Sequence, residues 1–319
     1  QALFDLMRRF RKQGMALIFI SHHLEEIFEM ADRVTVLRNG KVAASRPITE
    51  FTTDGIIRLM IDRELGSQYV KREIPIGPEV LRAENLSCKK LGVDDISITA
   101  RAGEIVGLGG LMGAGRTELA MLLFGAAKAD SGTVYVDGQD VTPRSVDEAT
   151  RAGIYLVPEK RREYGLVHSE SVTSNITLPF LKDFSRFSVV GIAKEVNTVN
   201  ALIRNLQIKV QKPTDSVGTL SGGNQQKVVI AKWLTKRGRV FIFDEPTQGI
   251  DVGAKTEVYE MIMRIAQDGA AVILISSDLR ELVAMSDRVY VLRNGQVAGE
   301  IGRENLTGEN VLRYALGGA

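Results

Sequence analysis

Leu220 to Asp251, LSGGNQQKVVIAKWLTKRGRVFIFDEPTQGID, decides how the rest of the chain is read. It begins with a Leu-Ser-Gly-Gly turn that opens a helix. It ends in an apolar strand, Val240 to Phe243, which delivers two adjacent carboxylates, Asp244 and Glu245. A glycine pair at a helix start leaves backbone N–H groups bare, and a helix N-terminus carries roughly half a positive charge, so the turn suits a phosphate. A carboxylate pair at a strand end suits Mg²⁺ and a water.

Upstream, Gly110 to Thr117 (GLMGAGRT) fits the phosphate-loop template Gly-x-x-x-x-Gly-Lys-Ser/Thr except that Arg116 stands where Lys is expected. The context is the required one: Glu104 to Leu108 reads as a strand, and the helix after the loop is expected to end at Gly125. Gly110, Gly113, Ala114, Gly115, Arg116, Thr117 and Glu118 are therefore the candidate nucleotide-binding residues. The loop N–H groups would wrap a phosphate, and Thr117 with Asp244 would hold Mg²⁺. Arginine keeps the positive charge, but its planar fork differs from a compact ammonium. The expectation is nucleotide binding with impaired or absent fast hydrolysis.

The chain has 319 residues, 44% apolar and 25% charged, which is enough for about two domains and a sizeable core. A net charge of +2 gives no reason to expect nucleic acid as a partner. The single Cys88 excludes an intrachain disulfide and fits a reducing compartment. No apolar run reaches the ~18 residues a membrane crossing needs; Met15 to Ile20 and Ala270 to Ile275 have strand length.

An internal repeat sets the domain organisation. Ala16 to Ala43 recurs as Ala271 to Ala298 with 17 of 28 positions identical. The amphipathic Leu3, Leu6, Met7 and Phe10 align with Val258, Met261, Ile262 and Ile265. Residues 1–65 thus read as the last part of a truncated first unit, whose own phosphate loop would lie about 145 residues before Gln1 at the repeat offset. Residues 66–79, polar with Gly and Pro, read as a linker, and 80–319 as a complete second unit. Thr133 to Val136 and Gly153 to Val157 read as strands. Between Ser171 and Val210 the pattern turns helical, with Val199, Leu202, Ile203 and Leu206 on one face of an inserted subdomain spanning about 165–235.

The Leu-Ser-Gly-Gly turn and the strand-borne Asp-Glu pair, this close and in this order, resemble the signature and Walker B segments of the ATP-binding cassette (ABC) superfamily. The tandem units, LSGGNQQ in place of the commoner LSGGQ, the Arg-bearing second loop and Val157-Pro158-Glu159 together resemble the ATPase subunit of bacterial monosaccharide importers, carbohydrate uptake transporter class 2 (ribose, xylose, galactose and arabinose type). That resemblance implies an α/β P-loop NTPase with a RecA-like core, an antiparallel β subdomain and a helical signature subdomain, using ATP and Mg²⁺. It makes Leu220, Ser221, Gly222, Gly223, Asn224 and Gln225 the signature, and Glu245 the group that polarises the attacking water. Gln248 to Asp251 become the D-loop that crosses to the other cassette. Glu159 falls where the family has a Mg²⁺-contacting glutamine that senses the transmembrane partner. His22 falls at the first cassette's switch histidine, which the repeat replaces by Ser277.

Lys to Arg, Gln to Glu and His to Ser all touch the site of the second phosphate loop, while the signature is unaltered. In the ABC sandwich each phosphate loop faces the other cassette's signature, so the expectation is one competent site and one degenerate site. Leu86 to Ile98 also lacks the aromatic residue that often stacks on adenine. The implied partners are a membrane permease dimer, a sugar-binding protein outside acting indirectly, and a first cassette or second copy of the chain. The implied place is peripheral, on the cytoplasmic side of a bacterial plasma membrane. Two alternatives stand beside it. One is a soluble tandem-cassette protein acting on ribosomes or DNA, which would usually show a long basic or charged linker. The other is a nucleotide-binding module without turnover. The basic run Lys160-Arg161-Arg162 reads either as a solvated loop or as a partner contact.

Overall fold

The computed structural model describes residues 2–20, 24–38, 41–52, 55–56, 59, 71–186, 189–250 and 252–318. Two strands, β1 (Arg33–Arg38) and β2 (Lys41–Pro47), form an antiparallel hairpin after the helices α1 (Ala2–Lys12) and α2 (Leu24–Met30). The second unit begins with β3 (Glu79–Cys88), β4 (Val93–Arg101), β5 (Ile105–Gly110), β6 (Ser131–Val136), β7 (Gln139–Asp140) and β8 (Ile154–Val157). A small hairpin of β9 (Ser185–Arg186) and β10 (Val189–Val190) follows, then β11 (Val240–Asp244), β12 (Ala271–Ile275), β13 (Arg288–Arg293) and β14 (Gln296–Gly302).

The central sheet runs β14-β13-β5-β12-β11-β8, parallel except for the antiparallel edge strand β14. Its inner strands are continuous apolar runs, VFIFD in β11 and AVILI in β12, buried along their whole length as strands covered on both faces must be. A second, antiparallel sheet of order β4-β3-β6-β7 packs beside it. The RecA-like core and the antiparallel subdomain implied by the sequence are both present.

The inserted subdomain contains helices Val172–Thr177, Ile192–Asn205 and Gly222–Trp233. It is less uniformly helical than the periodicity suggests, because the β9–β10 hairpin interrupts it. Val199 and Leu206 of the expected apolar face are buried, while Leu202 and Ile203 are half-buried. An aromatic cluster bolts the helix Gly222–Trp233 to the sheet. Tyr155 stacks on Trp233 at 5.0 Å, Phe124 and Phe180 meet Trp233 edge-on, and the Trp233 indole N–H donates to the Leu156 carbonyl at 2.8 Å.

The first 65 residues depart from expectation in one place. Residues 15–20 form no strand, and Ile18 and Ile20 are 96% and 99% exposed. Their repeat counterpart β12 lies between β5 and β11, whereas residues 15–20 have no strand partner among the described residues. Residues 71–78, within the expected linker, are held against the second unit. Lys71 forms an ion pair with Asp287, Gly77 N–H donates to the Ala102 carbonyl (2.8 Å), and Ala102 N–H to that of Pro78 (2.9 Å).

Candidate functional site

The carboxyl ends of β5, β8, β11 and β12 converge because register fixes them level. Phe243 pairs with Leu274 on one side and Val157 on the other, and Asp244 with Ile275. The residues that follow, Glu245, Ser276, Ser277 and Glu159, thus emerge beside the loop that leaves β5, the edge at which open α/β sheets place ligands.

That loop, residues 110–115, takes left-handed backbone at Gly110 (φ 142°), Gly113 (φ 78°) and Gly115 (φ 102°) before the helix Arg116–Leu123 begins. At Gly110 a Cβ would also stand 2.4 Å from the Leu292 carbonyl oxygen, so both conformation and space demand glycine. The helix closes at Phe124, and Gly125 (φ 66°) follows in left-handed conformation, as the sequence suggests. The β13–β14 turn supports the loop from behind. Gly295 N–H donates to the Ala114 carbonyl (3.1 Å), while the Gly295 carbonyl accepts Asp94 N–H (2.9 Å) from the antiparallel sheet. A Cβ at Gly295 would lie 1.7 Å from the Gly92 carbonyl oxygen.

Thr117 lies beside the Asp244 carboxylate and favours its charged form, and the carboxylate Oδ1 is buried with no partner among the described residues. Burial, with Glu159 and Glu245 nearby, pushes Asp244 up from 3.8 to about 6. A hydroxyl and a desolvated carboxylate oxygen at the mouth of a glycine loop fit a hard divalent cation, which would restore the charge balance. Glu118 is half-buried one residue further on.

Glu245 adopts a left-handed backbone (φ 47°), uncommon for a side chain of its size. Its N–H donates to the Ile275 carbonyl (3.0 Å), and Ser277 Oγ donates to its Oε2 (3.0 Å). Burial raises its pKa. Arg116 is already engaged: Nη1 donates to the Ser276 carbonyl at 3.0 Å and lies 3.9 Å from Glu245 Oε1. A cavity of about 280 Å³ opens beside these groups, lined among others by Glu245, Gln248, Lys255, Ser277 and Glu281.

On the other side, Ser221 caps the helix Gly222–Trp233 with extended backbone, but its hydroxyl does not bond the helix N–H groups. It accepts instead from Asn224 Nδ2 (2.9 Å), while Asn224 Oδ1 accepts Lys209 N–H (2.8 Å). Gln225 Nε2 donates to the Leu220 carbonyl (3.1 Å), and Gly223 is buried. The first turn thus has no side-chain cap, and its N–H groups are of the kind that can bind an anion.

Phosphate loop, Asp244, Glu245, Glu159 and Ser277 are thus gathered in one place, and Leu220 to Gln225 head a separate helix. His22 and Asp251 lie outside the described residues. Two features escaped the sequence reading. Arg161 is half-buried and turned inward. Its Nη1 donates to the Gln248 carbonyl (2.8 Å) and its Nη2 to that of Gly249 (3.2 Å), while Lys160 and Arg162 are exposed. Glu281 is buried, accepts hydrogen bonds from Ser276 Oγ (2.6 Å) and Thr247 Oγ1 (3.1 Å), and is pushed by burial to about 7. The repeat could have flagged it, since Glu26 is its aligned counterpart.

A glycine loop between strand and helix, with its threonine beside the aspartate that ends β11, defines a P-loop nucleotide-binding cassette, and the helical insert headed by Leu220 to Gln225 narrows it to the ABC type. Residues 93–248 match the family described as ABC transporter. It is 43% identical over 318 residues to the ribose import ATP-binding protein RbsA of Geobacillus kaustophilus, covering 100% of this chain and 64% of that one. Against the ribose import ATP-binding protein RbsA 2 of Streptomyces avermitilis the identity is 46% over 318 residues, covering 99% and 63%. The chain therefore spans just under two thirds of these relatives' length. Among solved structures, a nucleotide-free ATP-binding cassette from an ABC transporter superposes with a TM-score of 0.63 at 24% identity, covering 73% of this chain and 95% of that one. A cassette in its ADP conformation gives 0.61 at 22%, covering 75% and 99%. At these identities the likeness is one of fold.

Proposed function

We propose that the chain is the C-terminal part of a tandem-cassette ATPase subunit that powers import of ribose or a related monosaccharide, and that the nucleotide site on its own phosphate loop is degenerate. The names of its relatives support the importer reading. The observation that carries the degenerate site is Arg116: its guanidinium is fixed on the Ser276 carbonyl and faces Glu245, the carboxylate that would act on water. Residues 110–118 would bind ATP. Thr117 and Asp244 would hold Mg²⁺, which when bound neutralises phosphate charge. Ser277 donates to Glu245, in the place the family gives to a histidine on the γ-phosphate.

Leu220 to Gln225 would face the nucleotide of the first cassette, to which His22 would also contribute. Exposed Tyr164 and Val167, shortly after Glu159, offer apolar surface to a membrane permease, and Asn175 ties Val167 to the helix Val172–Thr177. No helix among the described residues is long and apolar enough to cross a membrane, which suits a peripheral subunit at the cytoplasmic face.

Titration of the chain with a fluorescent ATP analogue, with and without Mg²⁺, tests the site, and phosphate release tests turnover. Binding that strengthens with Mg²⁺ and hydrolyses slowly is expected; absence of binding refutes the reading. In the full-length protein, disabling each phosphate loop in turn should cost unequally. Equal losses would show two equivalent sites. Disrupting the gene should abolish ribose uptake if ribose is the cargo.

A further inference from the structure

Arg161 is the one member of the basic run that turns inward, and what it touches links three elements with different prospective partners. Its own N–H donates to the Glu159 carbonyl at 2.9 Å, so its backbone is tied to the residue beside Asp244 and Glu245. Its guanidinium donates to the Gln248 and Gly249 carbonyls in the D-loop. The same group lies over the start of the signature helix: a Cβ at Gly222 would stand 2.8 Å from Arg161 Nη2 and 3.1 Å from the Gly249 oxygen. A rigid fork with two carbonyls in its grip cannot move without moving both.

We propose that Arg161 is a positioning residue that couples Glu159, at the cassette's own nucleotide site, to the D-loop and signature, the two elements that would meet the opposite nucleotide. This rests on the sandwich reading above. Nucleotide binding that shifts Glu159 then shifts Gln248, Gly249 and Gly222 together, so a site that hydrolyses poorly still informs its neighbour. A glycine at 222 leaves room for the guanidinium, which gives that position a second use beside anion binding.

Hydrogen–deuterium exchange on this chain tests the clamp without nucleotide. Arg161→Ala should raise exchange across residues 246–250 by about tenfold or more, since loss of the grip lowers the cost of local opening. Arg161→Lys, a point charge that reaches one carbonyl, should fall between. Melting curves on both variants show that each is folded. Unchanged D-loop exchange in Arg161→Ala overturns the clamp, whatever the ATP titration shows.

The coupling is read by adding MgATP. Wild type should change exchange at 222–223 and 246–250, while Arg161→Ala should lose that response with ATP affinity held within about twofold, because the residue touches no part of the phosphate loop. A response that survives in Arg161→Ala overturns the coupling. In the full-length protein, Arg161→Ala should lower kcat for ATP about tenfold at nearly constant KM, with partial rescue by Lys, whereas a rise in KM alone would contradict a positioning role.

Discussion

Ala16–Ala43 and Ala271–Ala298 share 17 of 28 residues, and the helix and hairpin that follow fold alike in both copies, whereas residues 16–20 and 271–275 at their start do not. The hairpins β1–β2 and β13–β14 carry the same bulge at the aligned place, between Val36 and Leu37 and between Val291 and Leu292. Val34 and Val36 are buried in a small core as Val289 and Val291 are in theirs. Upstream the copies diverge: Ile273 is wholly buried in β12, and Ile18 at the aligned position is 96% exposed. A hairpin finds its partner strand within a few residues, so its sequence suffices. A parallel strand depends on partners far along the chain, and the same residues without them form nothing regular.

The sharpest challenge to this contrast is functional, since the proposed assignment of the two nucleotide sites rests on the same duplication. In the full-length protein, Ser221→Arg should lower ATP hydrolysis roughly 1,000-fold by blocking the anion-facing turn, and Glu245→Gln should cost much less. Steady-state rates decide it, and equal damage would erase the division between sites. Next in size, Ile273→Ala should cost about 4 kcal/mol in urea unfolding of this chain, as a cavity in a closed core does. Ile18→Ala should stay within about 0.5 kcal/mol. Similar values would mean that the two strands are equally embedded.

Asp244 gives a smaller, pH-dependent contrast. Its folded pKa of about 6 lies above its ordinary 3.8, so the folded chain binds more protons between those values. Its contribution is therefore favourable below pH 3.8 and is lost as pH rises through 6, at a cost of about 3 kcal/mol at most. Asp244→Asn should raise the melting temperature of the metal-free chain at pH 8 and lose that gain near pH 4. A gain independent of pH would point to packing instead. The smallest effect is expected from Ser277→His, which copies the first repeat into the second. With Arg116 still held on the Ser276 carbonyl, phosphate release should change by less than about threefold, since groups acting as a unit respond non-additively.

The parts of this molecule that depend on local residues were open to reading: the glycine loop by its spacing, β11 by its apolar run into two carboxylates, the duplicated hairpins by their identity. Arg161 was not, because three adjacent basic residues carry no mark of which one faces inward. The single π-helical turn Arg161–Gly165 sets it, with Gly165 buried, Arg161 bonded to the Gln248 and Gly249 carbonyls, and Arg162 exposed. Residues 15–20 defeat periodicity for the opposite reason: the pattern is that of a strand, and no partner strand lies beside it among the described residues. Glu281 shows a third case, a carboxylate whose burial depends on Ser276 and Thr247 arriving from two other elements.

The tip of a β-hairpin is ordinarily where a chain tolerates insertions, tags and drift. At Asn294-Gly295 that tolerance should be absent, because one residue of the tip is bonded to the phosphate loop on one side and to the antiparallel sheet on the other. Anyone seeking a permissive place for a probe in this cassette should avoid its most hairpin-like turn, and mutational libraries should find position 295 as intolerant as the glycines of the loop it braces.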